Sequence, residues 1–195
     1  LPEKREDYMQ VGRAFYNAER YQGADSIFNI ILSTSPDYVP AFLWIARTYS
    51  KMDPDSKLWL AKPKFEKLID VARSDSSKYE SEMMEAFGYL SYNNMMNENY
   101  NKSKEYYNRM IGLTSNNKEY KIRGYNGLGS LETKMAGNEK TLEGVISEAL
   151  KITRNIIAVN DGSTDNTAAI LQKYNYLKIV TYSPNKGKGY AIQKG

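Results

Sequence analysis

Apolar and small residues recur at helical spacing through the first two-thirds of the chain. Tyr8, Val11, Gly12 and Phe15 share one stripe, and Ala24, Phe28 and Ile31 share another, with Pro36 behind them. Steps of three and four residues put such positions on one helix face, so the pattern predicts two short amphipathic helices joined by a turn. A proline cannot continue the helix before it, which makes Pro36 the start of a new unit. The same stripe returns 34 positions later at Phe42, Ile45, Ala46 and Tyr49, followed by Ala61, Phe65 and Leu68. Ala46 and Ala61 stand 15 apart where Gly12 and Ala24 stand 12 apart, so the turn around Asp53-Pro54-Asp55-Ser56 is expected to be three residues longer. A third unit is anchored on Gly88, then Ser103, Tyr107 and Met110, again with 15 residues between its small positions, with a turn at Asn97-Glu98-Asn99 and a separator at Ser74-Asp75-Ser76-Ser77. A fourth first helix begins near Glu119-Tyr120, but Gly124, Gly127 and Gly129 make it a poor helix.

The order of these positions resembles the tetratricopeptide (TPR) pattern, from the first aromatic to the terminal proline. The resemblance implies antiparallel helix-pair repeats over residues 1–130: three pairs plus a degenerate fourth helix. Small residues such as Gly12 and Ala24 let the paired helices press together, while Phe15 and Phe28 fill the space beside them. It also implies a concave face built from first helices that takes a protein or peptide partner. Polar and aromatic residues not reserved for the core are expected to line that face: Arg13, Tyr16, Asn17, Arg47 and Tyr92.

From about residue 137 the pattern changes. Asn155-Ile156-Ile157-Ala158-Val159 is a short apolar run that ends at Asn160-Asp161-Gly162-Ser163, which reads as a strand entering a tight turn. Ser163 to Thr167 offers side-chain oxygens to cap a helix over Ala168–Tyr174. Leu177–Thr181 is a second strand, Asn185-Lys186-Gly187-Lys188-Gly189 a loop, and Tyr190–Lys194 the start of another helix. Upstream, 140–151 is an amphipathic helix with Leu142, Val145, Ile146, Ala149 and Leu150 on one side. Helix, strand, helix, strand, helix is a parallel α/β pattern.

The strand with its Asp161-Gly162-Ser163 turn, and the Asn-x-Gly-x-Gly loop after the second strand, resemble the nucleotide-sugar-binding segment of family 2 glycosyltransferases. The whole is thus expected to be mainly α, with a partial α/β segment of Rossmann-like, GT-A type over 137–195. By this resemblance Asp161 would accept a hydrogen bond from a uracil N–H or a ribose hydroxyl. Gly162 would keep the turn clear of the base, and Lys188 would approach phosphate. The family's first strand ends in an apolar-Pro-x-Tyr-Asn stretch, whereas Leu131–Gly137 here does not read as a buried strand. The family's Asp-x-Asp metal site and general base would lie beyond Gly195. No catalytic or metal-binding residue is therefore expected within these residues, and a divalent ion such as Mn or Mg would belong only to a complete transferase. A UDP-sugar would bind weakly at most. The expected function is a TPR-type interaction scaffold carrying an incomplete, inactive nucleotide-sugar-binding segment. The alternative is a piece of an active family 2 glycosyltransferase.

Composition narrows this further. The 195 residues contain no cysteine and no histidine, which excludes disulfides, Cys/His metal sites and a histidine base. The 27 basic and 23 acidic residues give a net charge of +4 with no dense basic stripe, so nucleic acid is not an expected partner. No apolar run approaches the roughly 20 residues a membrane span needs, and the charged first residues do not read as a signal peptide. Compartment is left open between cytoplasm, if the transferase resemblance governs, and periplasm, if the repeats do.

Overall fold

A computed structural model describes residues 4–113, 118–135, 144, 147, 157–161, 166–174 and 177–182. The chain divides into two compact units, Leu1–Tyr106 and Tyr107–Gly195. The first contains α1 (Arg5–Asn17), α2 (Tyr21–Thr34), α3 (Val39–Met52), α4 (Lys62–Ala72), a 3-10 turn (Arg73–Asp75), α5 (Glu80–Met96) and the start of α6 (Tyr100–Gly112). The second contains the rest of α6, α7 (Lys118–Lys134), β1 (Ile157–Asp161), α8 (Thr167–Gln172) and β2 (Lys178–Tyr182). The fold is mainly α: helix-pair repeats followed by a short α/β segment.

Small residues set the approach of each helix pair. A Cβ built at Gly12 would stand 2.8 Å from Phe28 Cζ, and one at Gly23 would stand 2.6 Å from Phe15 Cδ1. Glycine at these two places lets α1 and α2 close until the Phe28 ring is fully buried, a burial worth about 1.5–3 kcal/mol. The second pair uses Ala46 and Ala61, both completely buried, beside Phe65 and Leu68. In the third pair Ser91 and Ser103 are both completely buried, and Ser103 Oγ donates to the Ser91 carbonyl at 2.9 Å. That bond satisfies a hydroxyl that would otherwise be buried alone, at a cost of about 1–3 kcal/mol.

This pair corrects the repeat register read from the sequence. Ser91, Glu98, Ser103 and Tyr107 each stand 79 positions after Gly12, Glu19, Ala24 and Phe28. The small residue of the third first helix is therefore Ser91 rather than Gly88, and its turn has ordinary length. A Cβ at Gly88 would meet nothing within 4 Å. The three added residues expected in both later units fall in the second one alone, in the loop 53–61, because Ser91 and Ser103 stand 12 apart.

The short turns of the first and third pairs close alike. Arg20 N–H donates to the Phe15 carbonyl at 2.9 Å and Glu19 N–H to that of Tyr16 at 3.0 Å. Asn99 N–H donates to Asn94 at 2.8 Å and Glu98 N–H to Met95 at 3.2 Å. Both are Schellman closures, which need a left-handed residue after the cap. Glu19 (φ 58°) and Glu98 (φ 59°) take that conformation although glycine would do so without strain.

Helix α7 also differs from expectation, since it runs through Gly124, Gly127 and Gly129. A Cβ at Gly124 would come 2.6 Å from Ile111 Cγ1, and one at Gly127 would come 2.6 Å from Tyr107 Cζ. These glycines lower helix propensity but allow a close approach to α6, and tertiary packing outweighs propensity. Leu128 and Leu131 are buried. The residues compared with the family's first strand thus include the last turn of a helix.

In the α/β segment, β1 and β2 pair in parallel from Ile157↔Lys178 to Asp161↔Tyr182. Helix α8 joins them, with Ile170, Leu171 and Leu177 buried. Its N-cap is Asn166, which makes no side-chain cap bond. Ser163 to Asp165, most of 140–151 and all of 183–195 lie outside the described residues.

Two sets of substitutions test this account by urea unfolding. Gly12→Leu should cost about 1–3 kcal/mol by overpacking the Phe28 ring. Gly88→Ala should instead gain about 1 kcal/mol, because it raises helix propensity and meets nothing. Equal effects at the two positions would contradict the packing described. Separately, Glu19→Gly and Glu98→Gly should each raise stability by up to about 1 kcal/mol by relieving a left-handed backbone.

Candidate functional site

Helices α1, α3 and α5, the first helices of the three pairs, lie in contact in that order. Trp44 on α3 gathers side chains from its neighbours. Tyr16 meets it edge-on at 5.2 Å, and Phe28 stacks on it at 6.0 Å. The Arg13 and Arg47 guanidinium carbons lie 5.0 and 4.9 Å from the centroid of the indole ring, where its quadrupole attracts cations. Arg47 also forms a two-pronged pair with Glu85 on α5: Nε donates to Oε1 at 2.8 Å and Nη2 to Oε2 at 2.6 Å. Both partners are about one-third exposed, so solvent screening holds the pair to about 1 kcal/mol. The hydrogen bonds Arg47 donates to Glu85 raise its own pKa further, while burial pushes the Tyr16 phenol up. Among the described residues Arg13 has no carboxylate partner.

Of the five residues expected on this face, Arg13, Tyr16 and Arg47 thus converge on Trp44. Asn17 is exposed as the last residue of α1. Tyr92 belongs to a different cluster on α5. The sequence reading missed Trp44 and Glu85. A tryptophan three positions before a cation on a predicted first helix was the available signal for the former, and Glu85 had none.

The second cluster depends on the lengthened loop. Asp53 is almost fully buried, and its carboxylate accepts the Lys57 and Leu58 amides at 3.0 Å and the Leu60 amide at 3.4 Å. That grip holds Ser56 (φ 53°) and Trp59 (φ 54°) in left-handed conformations, at about 1–2 kcal/mol each. Trp59 is thereby set against Tyr89 at 5.8 Å and Tyr92 at 6.0 Å. Asp53-Pro54-Asp55 has the spacing of an Asp-x-Asp metal site but not its chemistry. Asp53 is taken up by amides, Asp55 lies 3.1 Å from the Lys57 ammonium, and no three metal-ligating side chains gather among the described residues.

Tyr89 gives this cluster a pH dependence. Burial, reinforced by the Asp53 charge and opposed by a backbone hydrogen bond at Ala61, pushes its phenol up to about 12. Both states are neutral at this group below its ordinary pKa near 10. Between there and 12 the unfolded chain loses the proton first, so stability falls as pH rises. Tyr89→Phe should therefore lose less stability than the parent between about pH 10 and 12, as measured by urea unfolding across that window.

In the α/β segment Asp161 is the last residue of β1, aligned with Tyr182 at the end of β2. Because the strands are parallel, both reach the same carboxyl edge, the edge at which open α/β sheets bind ligands. Gly162 and Lys188, expected with Asp161 at a nucleotide, lie outside the described residues. No helix among the described residues is long and apolar enough to cross a membrane.

Comparison with known proteins separates the two parts. Residues 133–195 match the family described as Glycosyl transferase family 2, a match that begins inside the last turn of α7. Over 58 residues the chain is 43% identical to a dolichyl-phosphate beta-glucosyltransferase of Trichomonas vaginalis, covering 28% of this chain and 17% of that protein. In structure it is similar to the C-terminal part of a TPR repeat-containing protein from Cytophaga hutchinsonii. The TM-score is 0.59 at 32% sequence identity, covering 66% of this chain and 48% of that one. The chain therefore spans less than half of the solved relative and a small part of the transferase. It combines helical repeats with a glycosyltransferase-like segment.

Proposed function

We propose that the repeats form a TPR-type protein-interaction scaffold whose binding face is the first-helix side of α1, α3 and α5. The observation that carries this reading is the arrangement around Trp44. Two guanidinium groups share one indole, and among the described residues only Arg47 of the two has a carboxylate partner. An unmatched cation held against an aromatic surface suits a peptide with acidic and apolar side chains, because the ring fixes the charge without neutralising it. The similarity to the Cytophaga repeat protein supports the assignment of fold. Proteins retained from native extract by the immobilised chain should be lost with the double variant Arg13→Ala/Arg47→Ala. Its circular dichroism should match the parent, since the partly exposed ion pair contributes only about 1 kcal/mol. Retention unchanged in the double variant counts against this face.

A second reading concerns residues 133–195 and rests on the position of Asp161 at the carboxyl edge of β1, with the family match as support. On this reading the segment recognises the nucleotide of a nucleoside-diphosphate sugar through Asp161, with Gly162 and Lys188 as its further contacts. A single charge-assisted hydrogen bond contributes only about 1.5–3 kcal/mol, so binding by Asp161 alone is roughly millimolar or weaker. Calorimetric titration with UDP and UDP-glucose, with and without Mn²⁺, should show weak binding that Asp161→Ala removes. Micromolar affinity or metal-dependent donor hydrolysis would favour an active transferase segment instead.

A further inference from the structure

The first helix leaves open a face that its two successors bury. Ala41 and Ile45 of α3 belong to the core built on Phe28 and Ile31 of α2. The positions 34 before them are Asp7 and Val11; 79 after those stand Ala86 and Leu90, completely buried on α5. Thr48 and Asn93 are likewise buried where α1 has Ala14. On α1 itself Asp7 and Ala14 are exposed and Val11 is half-buried. Steps of three and four place Lys4, Asp7, Val11, Ala14 and Ala18 on one stripe. Arg13, which meets Trp44 of α3, lies about 200° around the helix from Val11, so the stripe turns away from α3. Ile27 and Ile30 of α2 extend the apolar surface. They follow Gly23, whose missing side chain admits the Phe15 ring, and Ile30 is 42% exposed.

We propose that this face pairs with a second copy of the chain, α1 against α1, about a two-fold axis at Val11. Charge selects the occupant. A further helix of the repeat type ahead of α1 would bury Asp7 where the later units bury alanine, so whatever covers the face must bring a cation. The chain supplies one itself. The Arg20 guanidinium carbon lies 5.2 Å from the centroid of the Phe15 ring, and among the described residues neither Asp7 nor Arg20 has an ion-pair partner. Asp7 and Phe15 stand one turn before and one turn after Val11, so an antiparallel crossing sets Asp7 of each copy beside Phe15 and Arg20 of the other. Lys4 and Glu19 come together in the same way. A parallel crossing would instead set Asp7 against Asp7. Ala14 and Ala18 add little bulk and keep the crossing close. Two helices about 20 Å long and 8–10 Å apart offer roughly 400 Å² per copy, about half of a standard stable interface, so the dimer is weak and reversible. Arg13 and Arg47 stay outside the contact, so the dimer carries the first-helix face twice.

The test is sedimentation velocity on the whole chain from about micromolar to near-millimolar concentration. The parent should pass from monomer to dimer, and added salt should weaken the association. Asp7→Arg and Arg20→Asp, each purified alone, should weaken it at least about ten-fold, because a two-fold interface counts each reversed contact twice. Both positions are exposed, so the circular dichroism of each variant should match the parent. Mixing the two variants should restore the association, since only the mixed dimer again has opposite charges at both contacts. A chain that stays monomeric throughout makes α1 a solvated end of the stack and overturns the proposal. Self-association that both reversals leave unchanged belongs to another face and overturns it as well. So does a mixture that fails to regain what the single variants lose.

Discussion

The helical part depends on how closely two antiparallel helices can approach at one small residue on each first helix. Gly12 opposite Phe28, the fully buried Ala46 and Ala61, and Ser91 bonded to Ser103 are three chemical solutions to that constraint. Glycine makes room for a ring, alanine adds no more than a methyl group, and serine supplies its own hydrogen bond. Once this approach is fixed, the large apolar side chains of the second helices have one place to go, and Phe28, Phe65 and Tyr107 are all buried. The opposite side of each first helix is then left outside the core. Arg13, Arg47 and Tyr92 lie there because the packing rule does not use their positions.

The helix pairs were legible because small and aromatic residues repeat at fixed spacing. The lengthened second turn was legible from the distance between Ala46 and Ala61. The third unit was misregistered for a physical reason: glycine is the usual sign of close helix contact, and Gly88 drew the reading away from Ser91. A buried serine pair carries the same geometric meaning but looks like surface in sequence. Propensity misled in a similar way at α7, where three glycines suggested a poor helix. At Gly124 and Gly127 the missing side chains make room for Ile111 and Tyr107 instead.

The candidate sites were legible in part. Three of the expected groove residues meet at Trp44, but the indole itself was not foreseen, because one sequence does not distinguish a core tryptophan from a platform. Glu85 pairs with Arg47 across 38 positions, a relation that only folding creates. The strands of the α/β segment were placed within one or two residues by their apolar runs and the polar turn after them. What sequence did not supply was the register that brings the ends of β1 and β2 to one edge. That register gives Asp161 its chemical interest, since an Asp-Gly dipeptide by itself is an ordinary turn sequence.

Backbone strain separates incidental from purposeful features. The four non-glycine residues with positive φ among the described residues all lie in turns that follow first helices. Glu19 and Glu98 close short turns, and each sits where glycine would serve the same geometry at lower cost. Ser56 and Trp59 belong to the one turn that is longer than the repeat requires. They are held there by a buried carboxylate spending its hydrogen-bonding capacity on three amides. A shorter turn closes the first and third pairs without such support, so helix pairing does not explain this loop. Its structural product is the placement of Trp59 against Tyr89 and Tyr92. The energy held in the loop therefore maintains an aromatic cluster against the third first helix, α5.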